Sequence, residues 1–418
     1  NIAQWNGSDW NKLVAPVGGS VFALAVSGND LYVGGAFHTV GGIAATNVAH
    51  WDGTRWNAMG EGINGMVAAL AVSSNAVYAG GKFTRAGSVA VNGIARWNGD
   101  RWEPLGEGIG GEGLEPLGPA VSALAISGDT LYVGGLFTQA GGEPAKSVAR
   151  WNGITWSALG EGLDGWAYAL TLLGSDLIAG GGFYIRGTDC NVARWNGTTW
   201  SPMGYGPTVR ALAVSGNNLY VGGSADIESA GSVYVSRWDG NAWGRLGADL
   251  SGDTLTSVYA LAVSGSNVYA AGHFMTAGEV PAANIAHWDG HTWSSLGTGI
   301  TGDRNTWGYA LALSGADLYV GGRFVRAGGK PSAKVARARV SFVPDQLALQ
   351  FNVPEAPNNT LSFSGVPGFP YLVQYATNLA TGSWTTFSTN PPAADGVGTV
   401  LDPAATSPQR FYRVGYEE

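Results

Sequence analysis

The apolar positions of this chain fall in short runs separated by turn residues, and four kinds of run recur in a fixed order. The first is Val-x-Ala-Leu-Ala-Val, as at residues 21–26, and Ser-Gly-Asn or Ser-Gly-Asp joins it to Leu-Tyr-Val-Gly-Gly. The third is Asn-Val-Ala-Arg-Trp, and Trp-Asn-Gly or Trp-Asp-Gly leads from it to the fourth, x-Trp-x-x-Leu. Each run has strand length. Asn-Gly or Asp-Gly between two such runs marks a hairpin, because both central residues of that turn need positive φ.

The order repeats at a nearly constant period. The Trp-Asn/Asp-Gly step occurs at Trp5, Trp51, Trp97, Trp151, Trp195, Trp238 and Trp288, separated by 46, 46, 54, 44, 43 and 50 residues. A second Trp follows each, at Trp10, Trp56, Trp102, Trp156, Trp200, Trp243 and Trp293. The Gly pair begins at Gly34, Gly80, Gly134, Gly180, Gly222 and Gly321, with a degenerate copy, Ala270-Ala271-Gly272. Four strands per repeat of this length predict an all-β chain, a seven-bladed β-propeller of four-stranded blades. Closing the ring removes the edges that an open stack would expose.

A strand ending in Gly-Gly, an aromatic-Asp turn and then a Trp resembles the kelch repeat, here Gly34-Gly35, Trp51-Asp52 and Trp56. The resemblance covers residues 1 to about 340. It departs from kelch in having Trp where Tyr usually precedes the turn, and in an added Phe-x-x-Ala-Gly-Gly segment after the Gly pair. The kelch order implies that Val-x-Ala-Leu-Ala-Val is the innermost strand. The tight hairpins then share one face. The Gly-Glu-Gly and Phe-x-x-Ala-Gly-Gly segments share the other, where function on a scaffold concentrates.

The chain starts in mid-unit, and residues 1–10 are expected to supply the third and fourth strands of the last blade, whose inner two are residues 309–313 and 318–322. An eighth copy of the third strand, residues 334–340, has Ala338, Arg339 and Val340 in place of Trp-Asn-Gly and so lacks the hairpin turn. It is expected to be the exit from the propeller, which spans 1–340. A second domain is expected at 344–418, after a Pro-rich junction, with alternating runs that suggest a small Ig- or FnIII-like β-sandwich. Its segments PGFPYLVQYATNL and PQRFYRV resemble a small C-terminal module carried by many secreted bacterial proteins, which implies an extracellular or cell-surface location.

Composition narrows the function classes. Charged residues are 12% of the chain and the net charge is −8, which argues against nucleic acid as partner. The lone Cys190 excludes an intrachain disulfide. No apolar run approaches the length of a membrane span, and the first residues carry neither a charged n-region nor an apolar h-region, so any export signal lies outside this sequence.

Several motifs have a plain structural reading. Four segments fit Gly-x-Gly-x-x-Gly, beginning at Gly60, Gly106, Gly160 and Gly297, yet a strand rather than a helix is expected after each, so they read as turns and imply no cofactor. Glu61, Glu107 and Glu161 recur in Gly-Glu-Gly, with Asp164 nearby, and fit a repeat-level turn better than acid–base work or calcium. His50 and His287 take the place of the Arg in Val-Ala-Arg-Trp, a structural slot, and His287 with His291 straddles a hairpin. Fourteen tryptophans belong to the repeat and read as packing between blades, and Trp384 reads as core of the second domain.

What remains is irregular. The residue before the constant Ala-Leu varies from blade to blade: Phe22, Ala68, Ser122, Tyr168, Arg210, Tyr259 and Tyr309. In the kelch order this set rings the mouth of the central channel. Trp166 and Trp307 sit just before the inner strand in two blades, and Asp303 and Arg304 lie in a loop that breaks the pattern. Aromatic rings with one Arg suit stacking and hydrogen bonding to a sugar or peptide. The expected function is therefore binding of a glycan or protein at the variable face. A polysaccharide lyase or hydrolase using Tyr, Arg and acidic residues is a second reading, and a structural or assembly role is a third.

Overall fold

The computed structural model describes residues 2–5, 10–13, 17–73, 76–111, 120–204, 208–224, 232–303, 305–315, 317–331 and 335–339, and then 349–352, 359–364, 371–376, 385–390, 397–402 and 411–415. All its regular elements are strands. The chain divides into two compact units, Asn1–Val340 and Ser341–Glu418.

In the first unit the repeat folds as expected from its turns. The first sheet runs Val17–Ser27, Asp30–Val40, Val48–Trp51 and Trp56–Ala58 in spatial as well as chain order, all antiparallel. Four-strand sheets in the same order start at Met66, Ala120, Asp164, Val209 and Ser257. A last sheet starts with Trp307–Ser314 and Asp317–Arg323. The first strand of each sheet lies beside that of the next, and Trp307–Ser314 lies beside Val17–Ser27, so the cycle closes on itself. Ser314 Oγ donates to the Gly28 carbonyl at 2.9 Å across this closing seam.

The two glycines of the repeat answer to two different neighbours. The second sits opposite an irregularity in the first strand: Val21 pairs with Gly35 and Ala23 with Gly34, so Phe22 is left over as a bulge. A Cβ on Gly81 would stand 2.0 Å from the Met66 carbonyl oxygen, a collision with backbone that cannot yield. The first glycine faces the next sheet. A Cβ on Gly34 would be 2.6 Å from Val67 Cγ1, and one on Gly321 would be 2.6 Å from Val21 Cγ1. This accounts for the degenerate copy. There Ala271 stands in the first-glycine place, and the facing position, Val in five of the other sheets and Ala167 in one, is Gly308. The extra methyl on one side is matched by its loss on the other, as close packing demands.

The tryptophan pairs hold the outer strands. Within a sheet the two rings sit 5.3–5.5 Å apart and tilted, as in Trp51–Trp56 and Trp151–Trp156. The second ring also reaches the preceding sheet. Trp102 Nε1 donates to the Met59 carbonyl, and Trp156, Trp200, Trp243 and Trp293 donate likewise to Leu105, Leu159, Met203 and Leu246, at 2.7–2.9 Å. Trp56 Nε1 is buried with no acceptor. By the same offset its acceptor would be the carbonyl of Leu13, in the N-terminal hairpin.

That hairpin corrects one expectation. The third place in the last sheet belongs to Val335–Arg339, which pairs with Asp317–Arg323 from Asp317↔Arg339 to Gly321↔Val335. Ile2–Trp5 and Trp10–Leu13 pair with each other and lie beside Val335–Arg339. The missing Trp-Asn-Gly turn only prevents a fourth strand. It does not prevent Val-Ala-Arg-Ala-Arg from alternating, and a short local connection places this copy before a distant one can compete.

The variable face is more ordered than a loop reading suggests. Ile300–Thr301 pairs with Arg326–Ala327, which pairs with Lys330–Pro331, and Ile109–Gly110 makes the matching ribbon with Gln139–Ala140 and Glu143–Pro144. The Gly-x-Gly-x-x-Gly segments are turns with positive φ at Gly60, Gly62, Gly106 and Gly108, and strands follow them.

The second unit contains two three-stranded antiparallel sheets. One has Asn359–Ser364 between Leu349–Asn352 and Val397–Asp402, and the other has Tyr371–Ala376 between Thr385–Asn390 and Phe411–Gly415. Trp384 lies outside the described residues.

Candidate functional site

The varying residues singled out in the sequence are the bulge residues. The pairing skips from Val21 to Ala23, from Val67 to Ala69, from Val121 to Ala123, from Ala167 to Ala169, and likewise past Arg210, Tyr259 and Tyr309. A bulge leaves its extra residue outside the ladder and turns its side chain away from the sheet's alternation. Because the first strands form a closed cycle, seven such residues face one place. They are all half-buried.

Their side chains touch in series. The Phe22 and Tyr309 rings are 5.1 Å apart, and Tyr309 and Tyr259 meet edge-on at 5.5 Å. Next comes Arg210, whose guanidinium carbon is 5.9 Å from the Tyr259 centroid and 4.0 Å from that of Tyr168. Both distances are within the reach of a cation–π contact. Trp166 stacks on Tyr168 at 5.0 Å and 18°, and its indole N–H reaches Ser122 Oγ at 2.8 Å. Trp307 relates to Tyr309 in the same way, at 6.1 Å and 7°, and also meets Tyr259 at 5.5 Å. The structure thus brings Phe22, Trp166, Tyr168, Arg210, Tyr259, Trp307 and Tyr309 into one cluster. Small side chains, Ala68 and Ser122, fill the remaining arc.

Asp303 has a scaffolding part. Its Oδ1 accepts the Asn305 amide at 2.9 Å, its carbonyl accepts the Thr306 hydroxyl at 2.8 Å, and its second carboxylate oxygen lies 3.5 Å from Arg323. These bonds set the turn that delivers Trp307. Arg304 lies outside the described residues.

Sequence reasoning missed a second layer. His273 stacks on Trp307 at 4.6 Å and 24°, with Nδ1 3.0 Å from the Thr306 carbonyl and Nε2 3.2 Å from Asp253 Oδ2. Asp253 shapes its own turn as Asp303 does, through the Leu255 amide and the Thr256 hydroxyl. The hydrogen bond from His273, then that from the Leu255 amide, holds the Asp253 carboxyl below the usual range. Ser224 Oγ lies 3.1 Å from Arg210 Nε. The signal was present: Ser224, His273 and Arg323 each come directly after the Gly pair, where other repeats have Ala36, Lys82, Leu136 and Gly182. Burial, and then the neighbouring Tyr259, pushes the Tyr309 phenol up to about 12. It is thus a neutral hydrogen-bonding tip on an apolar ring at ordinary pH.

The other candidates stay with the scaffold. His50 stacks on Tyr32 at 4.6 Å with Nε2 2.8 Å from Asp30, and His287 stacks on Tyr269 at 4.7 Å with Nε2 2.7 Å from Asn267. The shared geometry is the slot expected for both. Burial lowers the His287 pKa. Cys190 is buried in the fourth sheet, its thiol 2.9 Å from the Val192 carbonyl. Among the described residues no three His, Cys, Asp or Glu side chains come together as metal ligands. A cleft of about 350 Å³ between the fourth and fifth sheets is lined by Val192, Val209, Tyr234, Trp243 and Arg245. It is a seam between sheets where the third strand is short, and none of the clustered aromatic residues lines it.

Comparisons with known proteins bear on the fold. Residues 118–267 match the family model described as the Rax2 C-terminal beta propeller domain. The chain is similar to a solved structure titled "Structure of YjhT", at 12% identity and a TM-score of 0.39, over 85% of this chain and 99% of that one. It is also similar to one titled "Glycoside hydrolase", at 8% identity and a TM-score of 0.29, over 97% and 98% of the two chains. A search of curated proteins finds no match. A strand-only repeat unit with a closed cycle of first strands, matched in its centre by a propeller model, is a β-propeller.

Proposed function

We propose that this chain is a binding protein that holds a glycan or protein ligand at the aromatic mouth of a seven-bladed, kelch-like propeller. The supporting observation is convergence. Side chains that vary from repeat to repeat occupy bulges, the one place in each sheet where identity is free of the ladder, and they assemble a continuous face of rings with a single cation. A core does not need such variation, and a plug for the channel would not need Arg210. Trp and Tyr present flat apolar faces with polar tips, which suits the alternating C–H and hydroxyl surfaces of a sugar.

The second unit is read as a small sandwich module on a secreted or cell-surface protein, on the resemblance of its sequence alone. The experiment for the function is a glycan array on the full chain, followed by mass analysis of each hit after incubation. Intact hits whose binding is lost in Tyr168→Ala support the binding reading. Cleaved hits would replace it with a carbohydrate-active enzyme. An array and a protein-interaction screen that both come back empty would leave the structural role.

A further inference from the structure

Arg210 is the one basic side chain among the seven bulge residues. Its fork is fixed on three sides, by the Tyr168 ring at 4.0 Å, the Tyr259 ring at 5.9 Å and Ser224 Oγ at 3.1 Å from Nε. The Ser224 contact uses Nε, and among the described residues neither terminal amino group has a hydrogen-bond partner. Seven other arginines have an Asp or Glu partner, namely Arg55, Arg96, Arg101, Arg186, Arg194, Arg245 and Arg323. Among the described residues no carboxylate pairs with Arg210, although the chain carries 30 acidic residues against 22 basic ones. A half-buried guanidinium is normally paired, since desolvation without a partner is costly. Among the described residues this pairing capacity is unused.

We propose that Arg210 receives the carboxylate of a uronic-acid residue, so that the glycan recognised at this mouth is an acidic one. The proposal rests on the aromatic mouth being the ligand site. One guanidinium offers one planar pair of N–H donors, which matches the two oxygens of a carboxylate. The rings beside it supply the other half of the match. A uronic-acid pyranose carries its carboxylate at the rim of a flat C–H face, and the Tyr168 ring lies directly against the guanidinium.

The test uses the full chain and isothermal titration calorimetry at fixed salt. The probes are oligogalacturonate, oligoglucuronate and oligomannuronate, each beside its methyl ester, with hexaglutamate as an acid that is not a sugar. At least one uronate is expected to bind, with its ester at least about tenfold weaker, the loss expected for a charge-assisted hydrogen bond. Arg210→Gln should bind that acid and its ester alike, and Arg210→Lys should fall between, keeping the charge without the fork. Equal affinity of acid and ester overturns the proposal, as does binding of hexaglutamate without any uronate. Neutral cello-, xylo- and galacto-oligosaccharides separate the two readings. Neutral binding lost in Tyr168→Ala, without preference for uronates, removes the carboxylate and keeps the mouth. No binding of any sugar removes both. Should Arg210→Gln fail to fold by circular dichroism, the contrast between acid and ester on the unaltered chain decides alone.

Discussion

The seam between the sixth and seventh sheets offers a sharp test of how these sheets are packed. Elsewhere a glycine faces a valine or alanine; here Ala271 faces Gly308. A Cβ on Gly308 would stand 2.9 Å from Ala271 Cβ, 3.1 Å from Ile300 Cδ1 and 3.2 Å from the Gly272 amide nitrogen. Gly308→Val adds that carbon and two more, and overpacking a filled core costs about 1–3 kcal/mol. Ala271→Gly removes one buried methyl, about 0.8 kcal/mol, and loosens a strand by roughly 0.5–1 kcal/mol more. In the double variant the valine enters the space vacated at 271, as Val67 does opposite Gly34. The double variant should therefore be more stable than Gly308→Val alone, with a favourable coupling of about 1–2 kcal/mol. Urea unfolding monitored by tryptophan fluorescence, with a common slope for the four proteins of the cycle, measures it. Distant or independent changes add within about 0.5 kcal/mol. Additivity at that level would refute the idea that these two positions exchange volume.

The contacts of three side chains give three further outcomes. Trp102→Phe leaves the buried Met59 carbonyl without its donor and should cost about 1–3 kcal/mol of unfolding free energy, more than Trp56→Phe, whose indole N–H has no acceptor to lose. His287 has a lowered pKa in the folded state, so the unfolded chain takes up the proton first as pH falls. Its contribution is complete above about 6.5 and declines below it as pH drops towards the folded value, and His287→Gln should flatten the melting temperature across that range. Asp253 is also lowered, but as an acid its stabilising bond to His273 is present above about 3.9 and lost as pH falls through the folded value. Trp307 fluorescence, isolated by comparison with Trp307→Phe, should change in that acid range and lose the change in Asp253→Asn.

Much of the fold is legible in the sequence because the repeat states its turns explicitly: each Ser-Gly-Asn and Trp-Asn-Gly names a hairpin, and the hairpins fix the order of strands. The aromatic cluster is legible for the opposite reason, since Phe22, Tyr168, Arg210, Tyr259 and Tyr309 vary inside a constant frame. His273 escapes a search for histidines spaced as metal ligands, because its meaning lies in its place within the repeat, one step past Gly272. Asp253 carries no pattern of its own, and the pairing of Ser257 with His273 within one hairpin brings it to the imidazole. The last sheet departs from expectation because the lost turn at the end of residues 334–340 does not disqualify the strand before it. Turn chemistry decides whether the chain can double back after a strand, whereas pairing of the strand itself depends on alternation and on the neighbours within reach.

The bulge at the head of each first strand has a consequence for how such a protein changes. A residue inside a ladder is constrained on both sides: its neighbours across the sheet fix its size, and its register fixes its face. The extra residue of a bulge escapes both constraints, while the flanking Val and Ala, as in Val209 and Ala211 around Arg210, stay buried and carry the stability. Seven positions, all directed at one spot, can thus change identity while the strand pairing around them stays the same. The ring is in this sense a fixed frame around a surface open to selection, and a library varied only at these seven positions should yield folded proteins at high frequency.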